Sequence, residues 1–405
     1  MSRRTFVDQP AVERYLELGL RLGRHNPDLV DAYHGPDDVA HRIADEPVST
    51  AAELRRVARC LIADLDAGAP LDFVDDPEPQ RRAWLRGQTR GLETVAAKLD
   101  GAELTYVEEV ENCYGVTPRW FDEEEVAAAH RQLDAALAGS GSLADRLAAH
   151  RAAHVIAPDR IEAVIAALAD ELRDRTRAMF GLPEGERVRF DLVTDRPWSG
   201  FNYYEGNLSS CVAINTDLPV LSTAIDHLVA HEAYPGHHTE HCHKEVGLVW
   251  ERNRLEQTIF LIGTPECLLA EGLADLGIEV LVGEQRVEVI EPILRSEGVH
   301  FDAEAVAAVR RFGEASSGVD GNLGLLLHDR GADVDEVAAY AQRWSLVDRD
   351  RAHKRVQFIT DPTWRAYISC YVEGRPLCRD FVDGDPGRFR RLLDEQLLPS
   401  DLVVT

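Results

Sequence analysis

Apolar residues at spacings of three and four recur along most of this chain, and a stripe of that period is buried by packing helix against helix. Between Gln9 and about Leu182 the run Ile161, Val164, Ile165, Leu168 and Leu172 is the clearest case. Start signals agree with it. Pro158-Asp159 opens that segment, Ser142 precedes the run from Leu143, and Asp122 precedes an acidic first turn, Glu123 to Glu125, that a helix dipole favours. The period fails once, between about Glu186 and Asp217, where Val188, Phe190 and Leu192 alternate with Arg189 and Asp191 while Pro197, Gly200 and Gly206 punctuate short extended runs. A small sheet or ribbon is expected there. Asp66 to Pro79 and Gly139 to Gly141 read as loops rather than domain boundaries. The expectation is a mainly α fold, a large helical body with a central cleft and a small β region. Residues 1–185 would form a helical N-terminal region, continuous with a second helical region over 186–405 that carries the strand segment.

Composition narrows the function. With 45% hydrophobic residues among 405, the chain has ample material for a large core. A formal net charge of -27, from 44 basic against 71 acidic residues, repels phosphate backbones and anionic membrane surfaces, so neither nucleic acid nor membrane is expected as a partner. The 7 cysteines are scattered without a CxxC pair and are expected as reduced, mostly buried thiols. No stretch approaches the roughly 20 apolar residues of a membrane span. The first residues lead to Asp8, Glu13 and Glu17 rather than to the apolar core of a signal peptide, so a cytoplasmic location is expected.

Chemistry concentrates in His231-Glu232-Ala233-Tyr234-Pro235-Gly236-His237-His238. Leu221, Ala224, Ile225, Leu228 and Val229 make an apolar stripe, with Asp217 and Pro219 marking its expected start, which puts His231 and Glu232 near the end of a buried helix. Amide hydrolysis near neutral pH needs a strong nucleophile and a stabiliser for the oxyanion, and a zinc ion with an open coordination position supplies both. Imidazoles and one carboxylate suit zinc, and a second carboxylate, here Glu232, must take the proton of the attacking water. In the usual HExxH helix the two histidines sit at i and i+4 on one face. Here i+4 is Pro235, and on an ideal helix His238 would lie about 10 Å along the axis from His231, too far to share an ion. The segment works only if Pro235-Gly236 folds the chain back, with His237 or His238 as second ligand and His237 preferred.

A third ligand is expected from a separate helix. Thr264 and Pro265 look like its N-cap and first residue, and it should run to about Val282. Its Glu271, Asp275 and Glu279 fall along one face; a carboxylate there aimed at the histidines would be a ligand, with Asp275 a partner to a histidine N–H. The HExxPGHH segment, followed by Glu271-Gly272-Leu273-Ala274-Asp275-Leu276-Gly277-Ile278-Glu279, resembles the family catalogued as domain of unknown function 885, where the later motif commonly reads EGWAxYxE. That family in turn resembles carboxypeptidase Taq and other helical zinc peptidases of the gluzincin type. Tyr371-Val372-Glu373-Gly374 resembles its C-terminal Tyr-x-x-Gly. Leu273, Leu276 and Ile278 stand where the family usually has Trp, Tyr and Glu, a difference that bears on substrate preference.

The resemblance implies His231, His237 and Glu271 as Zn2+ ligands, Glu232 as general base and Tyr371 as an oxyanion donor. It also implies a zinc metallopeptidase of carboxypeptidase or oligopeptidase type acting on a peptide. Two rivals are a metal-dependent hydrolase or lyase of a small molecule and a non-catalytic metal-binding protein. His238, His241 and His243 are expected as supporting or surface groups. Gly200 to Asn207 is either a substrate-pairing edge or a structural hairpin, and Arg375 is a candidate for holding a substrate carboxylate.

Overall fold

Two of the helix starts read from sequence, at Ser142 and Asp122, are made by side-chain caps, whereas those at Pro158-Asp159 and Thr264 carry none. Ser142 accepts from the backbone of Asp145, whose carboxylate answers, and Thr50 with Glu53, Thr105 with Glu108 and Asp333 with Glu336 repeat the arrangement. Asp122 caps through the Glu124 amide. The computed structural model describes residues 9–68, 71, 79–196 and 198–403. Residues 1–8, Pro197 and most of the loop expected from Asp66 to Pro79 lie outside the described residues.

The N-terminal helices are α1 (Pro10–Gly23), α2 (Asp37–Asp45), α3 (Ala51–Asp66), α4 (Pro79–Leu99), α5 (Tyr106–Tyr114), α6 (Glu123–Ala136), α7 (Leu143–Ala153) and α8 (Ile161–Phe180). A strand, β1 (Val30–Tyr33), interrupts them, and β2 (Arg187–Val193), β3 (Gly200–Gly206) and β4 (Ser209–Asn215) follow. Then come α9 (Ile225–Glu232), α10 (His237–Lys244), β5 (Ile259–Leu261), α11 (Pro265–Val282), α12 (Arg286–Ser296) and α13 (Ala303–His328). The chain closes with α14 (Val334–Ser345), α15 (Arg349–Thr360), α16 (Ile368–Val382), α17 (Pro386–Asp394) and α18 (Pro399–Leu402). The fold is mainly α, as the periodicity requires.

The expected sheet is present in the order β2-β4-β3, with β4 parallel to β2 and antiparallel to β3. β4 is buried along its whole length, and β3 is left as an edge. β1 was not foreseen. It pairs antiparallel with β5, Val30 opposite Leu261 and Ala32 opposite Phe260, and the register shift between these pairs leaves Asp31 in a bulge. One apolar cluster joins residues from Tyr106 to Leu402, and a second joins α1, α3 and α4 to Leu255, Ile259 and Leu261.

The helix expected from about Asp217 starts later, at Ile225. The amide of Ile156 donates to Val220 O at 2.9 Å and that of Ser222 to His154 O at 2.9 Å, so the segment around Leu221 is held extended as a bridge to Val155. Its apolar spacing is the same in either state, and the pairing decides.

α11 spans the bounds read from sequence and is the inner helix of the body. Every residue from Pro265 to Ala274 is buried, so this helix has no solvent face in its first half. It packs most extensively on α16. A Cβ on Gly272 would stand 2.4 Å from Gly374 O, and one on Gly374 would stand 2.5 Å from Leu268 O. The glycines of the two widely separated motifs are thus one backbone-to-backbone contact. Gly272→Ala is expected to lower stability by about 1–3 kcal/mol or more through forced separation of these helices. Gly313→Ala, in an exposed part of α13 with nothing near its Cβ position, is expected to raise it by about 0.5–1 kcal/mol. Urea denaturation of both variants beside wild type reads the two opposite shifts.

Candidate metal centre

α9 ends at Glu232 and α10 begins at His237, and the intervening turn reverses the chain onto the helix it has just left. Its Tyr234-Pro235 bond is cis. The Gly236 amide donates to Ala230 O at 2.9 Å, and a Cβ at that position would lie 1.8 Å from His231 O, a space only glycine fits. The reversal brings His237 Nε2 to 3.2 Å from His231 Nε2. From α11, Glu271 Oε2 stands 3.4 Å from His231 Nε2, and its Oε1 stands 3.8 Å from His237 Nε2. Tetrahedral ligands at zinc distances of about 2.0–2.1 Å are separated by roughly 3.3 Å, close to these spacings.

The donor set fits such an ion in its chemistry as well. His231 Nδ1 lies 2.9 Å from Asp275 Oδ1, which places the ring proton on that nitrogen and leaves the Nε2 lone pair facing His237 and Glu271. Glu271 Oε2 is buried without a hydrogen-bond partner, and Tyr367 donates to its Oε1 at 2.7 Å. Burial opposes the charged form of His231, but the hydrogen bond to Asp275 and the nearby Glu271 carboxylate outweigh it and hold its pKa well above the ordinary imidazole value, so an ion must displace a proton from Nε2. Burial pushes His237 down to about 4, which favours the neutral ring a metal requires. Burial also works against the Glu271 carboxylate, yet the two histidines bring its pKa below the usual value.

Glu232 follows His231 and is buried in the same turn of α9. Burial raises its carboxyl to about 7, against the pull of His231. Gly200 of β3 closes over it: a Cβ there would lie 3.1 Å from Glu232 Oε1 and 2.8 Å from Leu228. Asn202, two residues along, donates to Glu232 O at 2.6 Å. β3 therefore runs beside the site as an edge strand of the sheet, in a hairpin with β4. Trp198, Phe201 and Tyr203 form an aromatic cluster on it, with Phe201 and Tyr203 centroids 4.6 Å apart.

The neighbouring histidines are drawn elsewhere. His238 is wholly buried, with Nδ1 at 2.8 Å from Ser210 Oγ and Nε2 at 3.2 Å from Glu186 Oε2. His241 stacks on Tyr204, and His243 bridges Asp394 and Gly181 O. Of the two residues left open as second ligand, the geometry brings His237 to His231 and turns His238 away. The Tyr371 hydroxyl meets Tyr367 at 3.3 Å rather than the carboxylate itself, so Tyr367 is the nearer tyrosine; the same spacing one turn earlier was its only signal in sequence. Arg375 is held by Glu279 and Glu314, each at 2.9 Å. Sequence reasoning missed Asp31, whose carboxyl is pushed up to about 8 by burial and by the charges of Glu271 and Glu232. A lone aspartate in a four-residue strand carries no signal that its bulge directs it toward a cluster formed some two hundred residues later.

If the site takes zinc, His237→Ala is expected to abolish that binding. His238→Ala is expected to retain it while losing about 1–3 kcal/mol of stability, because Glu186 and Ser210 lose a buried partner. Elemental analysis and denaturant midpoints separate the two effects. No family model matches the chain, and a search of curated proteins finds no match. The fold is similar to that of the crystal structure of a putative lipoprotein from Colwellia psychrerythraea, with a TM-score of 0.54 and 14% identity over 87% of this chain. The match spans 66% of that structure's length, and at this identity it shows a shared fold alone.

Proposed function

We propose that the chain is a zinc-dependent hydrolase that cleaves peptide bonds. The observation that carries this reading is the convergence of two imidazole nitrogens and a partnerless carboxylate oxygen beside a second buried carboxylate that ligates nothing. Two histidines and a glutamate leave a coordination position open, which is the pattern of a catalytic rather than a structural zinc site. The sequence resemblance to the family with domain of unknown function 885 and to gluzincin peptidases points the same way.

Zinc held by His231, His237 and Glu271 would supply a water of lowered pKa and a positive charge for the oxygen of the scissile carbonyl. Asp275 orients the His231 ring through Nδ1, and Tyr367 fixes the Glu271 carboxylate. Glu232 takes the proton of the attacking water and passes it to the leaving amine; a carboxyl that burial raises toward neutrality suits both transfers. Gly200 keeps side-chain bulk away from that carboxylate. The free edge of β3 suits an extended peptide added as a further strand, with Phe201 and Tyr203 against its side chains. Tyr371 stands behind Tyr367 and acts as an oxyanion donor in this reading by turning its hydroxyl from Tyr367 to the substrate.

Glu232→Gln is expected to keep the metal and to lose about 10²–10⁴-fold in peptide hydrolysis. Metal content and turnover of a peptide library, measured on the same preparations, test this. Wild-type-like turnover in the variant excludes the assigned base, and turnover of simple amides or esters without peptides moves the assignment to a small-molecule hydrolase.

A further inference from the structure

A cavity of about 150 Å³ lies between α4, α5, the segment leading into β1 and the segments leading into α11 and α16, and none of the candidate metal-centre residues lines it. Leu29, Val95, Cys113, Ile262 and Ala366 give it apolar walls, and the exposed Leu99 is also part of its lining, so the cavity reaches solvent. A water inside needs several polar partners, which such walls do not offer, whereas apolar cavities of about this volume hold benzene. The charged residues of the lining are Lys98 and Glu109. Glu109 is buried and accepts from Lys98 Nζ at one oxygen and from Arg365 Nε, at 2.6 Å, at the other. Two cations thus share one carboxylate. Asp361, beside the cavity residue Pro362, is engaged by the Thr363 amide at 2.8 Å. Lys98 Nζ gives a second N–H to Pro362 O, and its third has no acceptor among the described residues.

We propose that this cavity binds a small organic carboxylate, with an aromatic or branched aliphatic tail of about six carbons in the apolar part and the carboxylate on the remaining N–H of Lys98. The tail fits by size, and its removal from water supplies the apolar share of the affinity. Charge sets the head group. With Lys98 and Arg365 against Glu109, an anion brings the second negative charge that the two cations lack, and its bond to an ammonium is of the stronger, charge-assisted kind. An amine of the same shape would set a third cation beside two. The chain's net charge of -27 repels anions at long range, so preference for the carboxylate must come from this local contact. The assignment stands apart from the zinc reading, since no metal ligand takes part.

NMR titration of the full chain with benzoate, benzyl alcohol and benzylamine tests this, on wild type, Val95→Phe, Lys98→Met and His237→Ala. Wild type is expected to bind one benzoate with a Kd of about 1 mM or below, and the alcohol and the amine about tenfold more weakly or less. Val95→Phe fills the cavity with a ring of its own and loses benzoate. Lys98→Met leaves Arg365 on Glu109 and weakens benzoate about tenfold. His237→Ala binds it as wild type does. The comparison of the three probes on wild type depends on no variant's folding. Failure of wild type to bind benzoate overturns the proposal, and so does equal binding of the three probes. Benzoate binding that persists in Val95→Phe and is lost in His237→Ala puts the anion at the metal centre and overturns it as well.

Discussion

An ionised side chain inside an apolar body is tolerated only with a partner, and the centre of this molecule is arranged around that requirement. α11 carries Glu266 and Glu271 on a stretch with no solvent face, and the elements packed against it supply what those carboxylates need. Lys244 of α10 meets Glu266 and Glu240, at 2.9 Å and 2.7 Å. Histidines of α9 and α10 and the hydroxyl of Tyr367 meet Glu271, yet one oxygen of that group stays unpartnered. In the hydrolase reading, that oxygen is the one that would meet the cation. The close approach of α11 to α16 at Gly272 and Gly374 accompanies the Tyr367 hydroxyl at the other oxygen of Glu271.

α10 shows how four histidines in seven residues acquire four different surroundings. Successive positions on a helix are turned by about 100°. His237 therefore faces α9 and α11, His238 faces the sheet and Glu186, His241 lies on Tyr204, and His243 reaches Asp394 on α17. The Glu186 carboxylate is itself gripped by Tyr234, Arg173 and Arg177, so the outer side of α10 is fastened to α8 and to the approach to β2. Rigid support on one face fixes the ring presented by the other.

Local signals were enough for much of this. Caps at Ser142 and Asp122 and the bounds of α11 follow from short-range pattern, because a helix period is a property of neighbouring residues, whereas the set His231, His237 and Glu271 was implied by the family resemblance. What pattern left out depends on distant partners. Leu221 has helical spacing but is claimed by Val155, and β1 exists because residues 259–261 pair with it. The choice between Tyr371 and Tyr367, and between His238 and His237, turns on which neighbour each ring meets, a fact no spacing contains.

The pairing of β1 with β5 also bears on how the chain becomes a protein. The segment from His231 to Asp275 brings most of the charged cluster within a short span, but β1 is separated from β5 by more than half the chain. Closing a loop of that length has an entropic cost that grows only slowly with size, whereas the search for such a distant contact slows folding markedly. The helices of the N-terminal region can form as they are synthesised, yet β1 has no partner until β5 has emerged. Docking of β1 on β5 is on this account a late event, completed by a strand synthesised well before its partner.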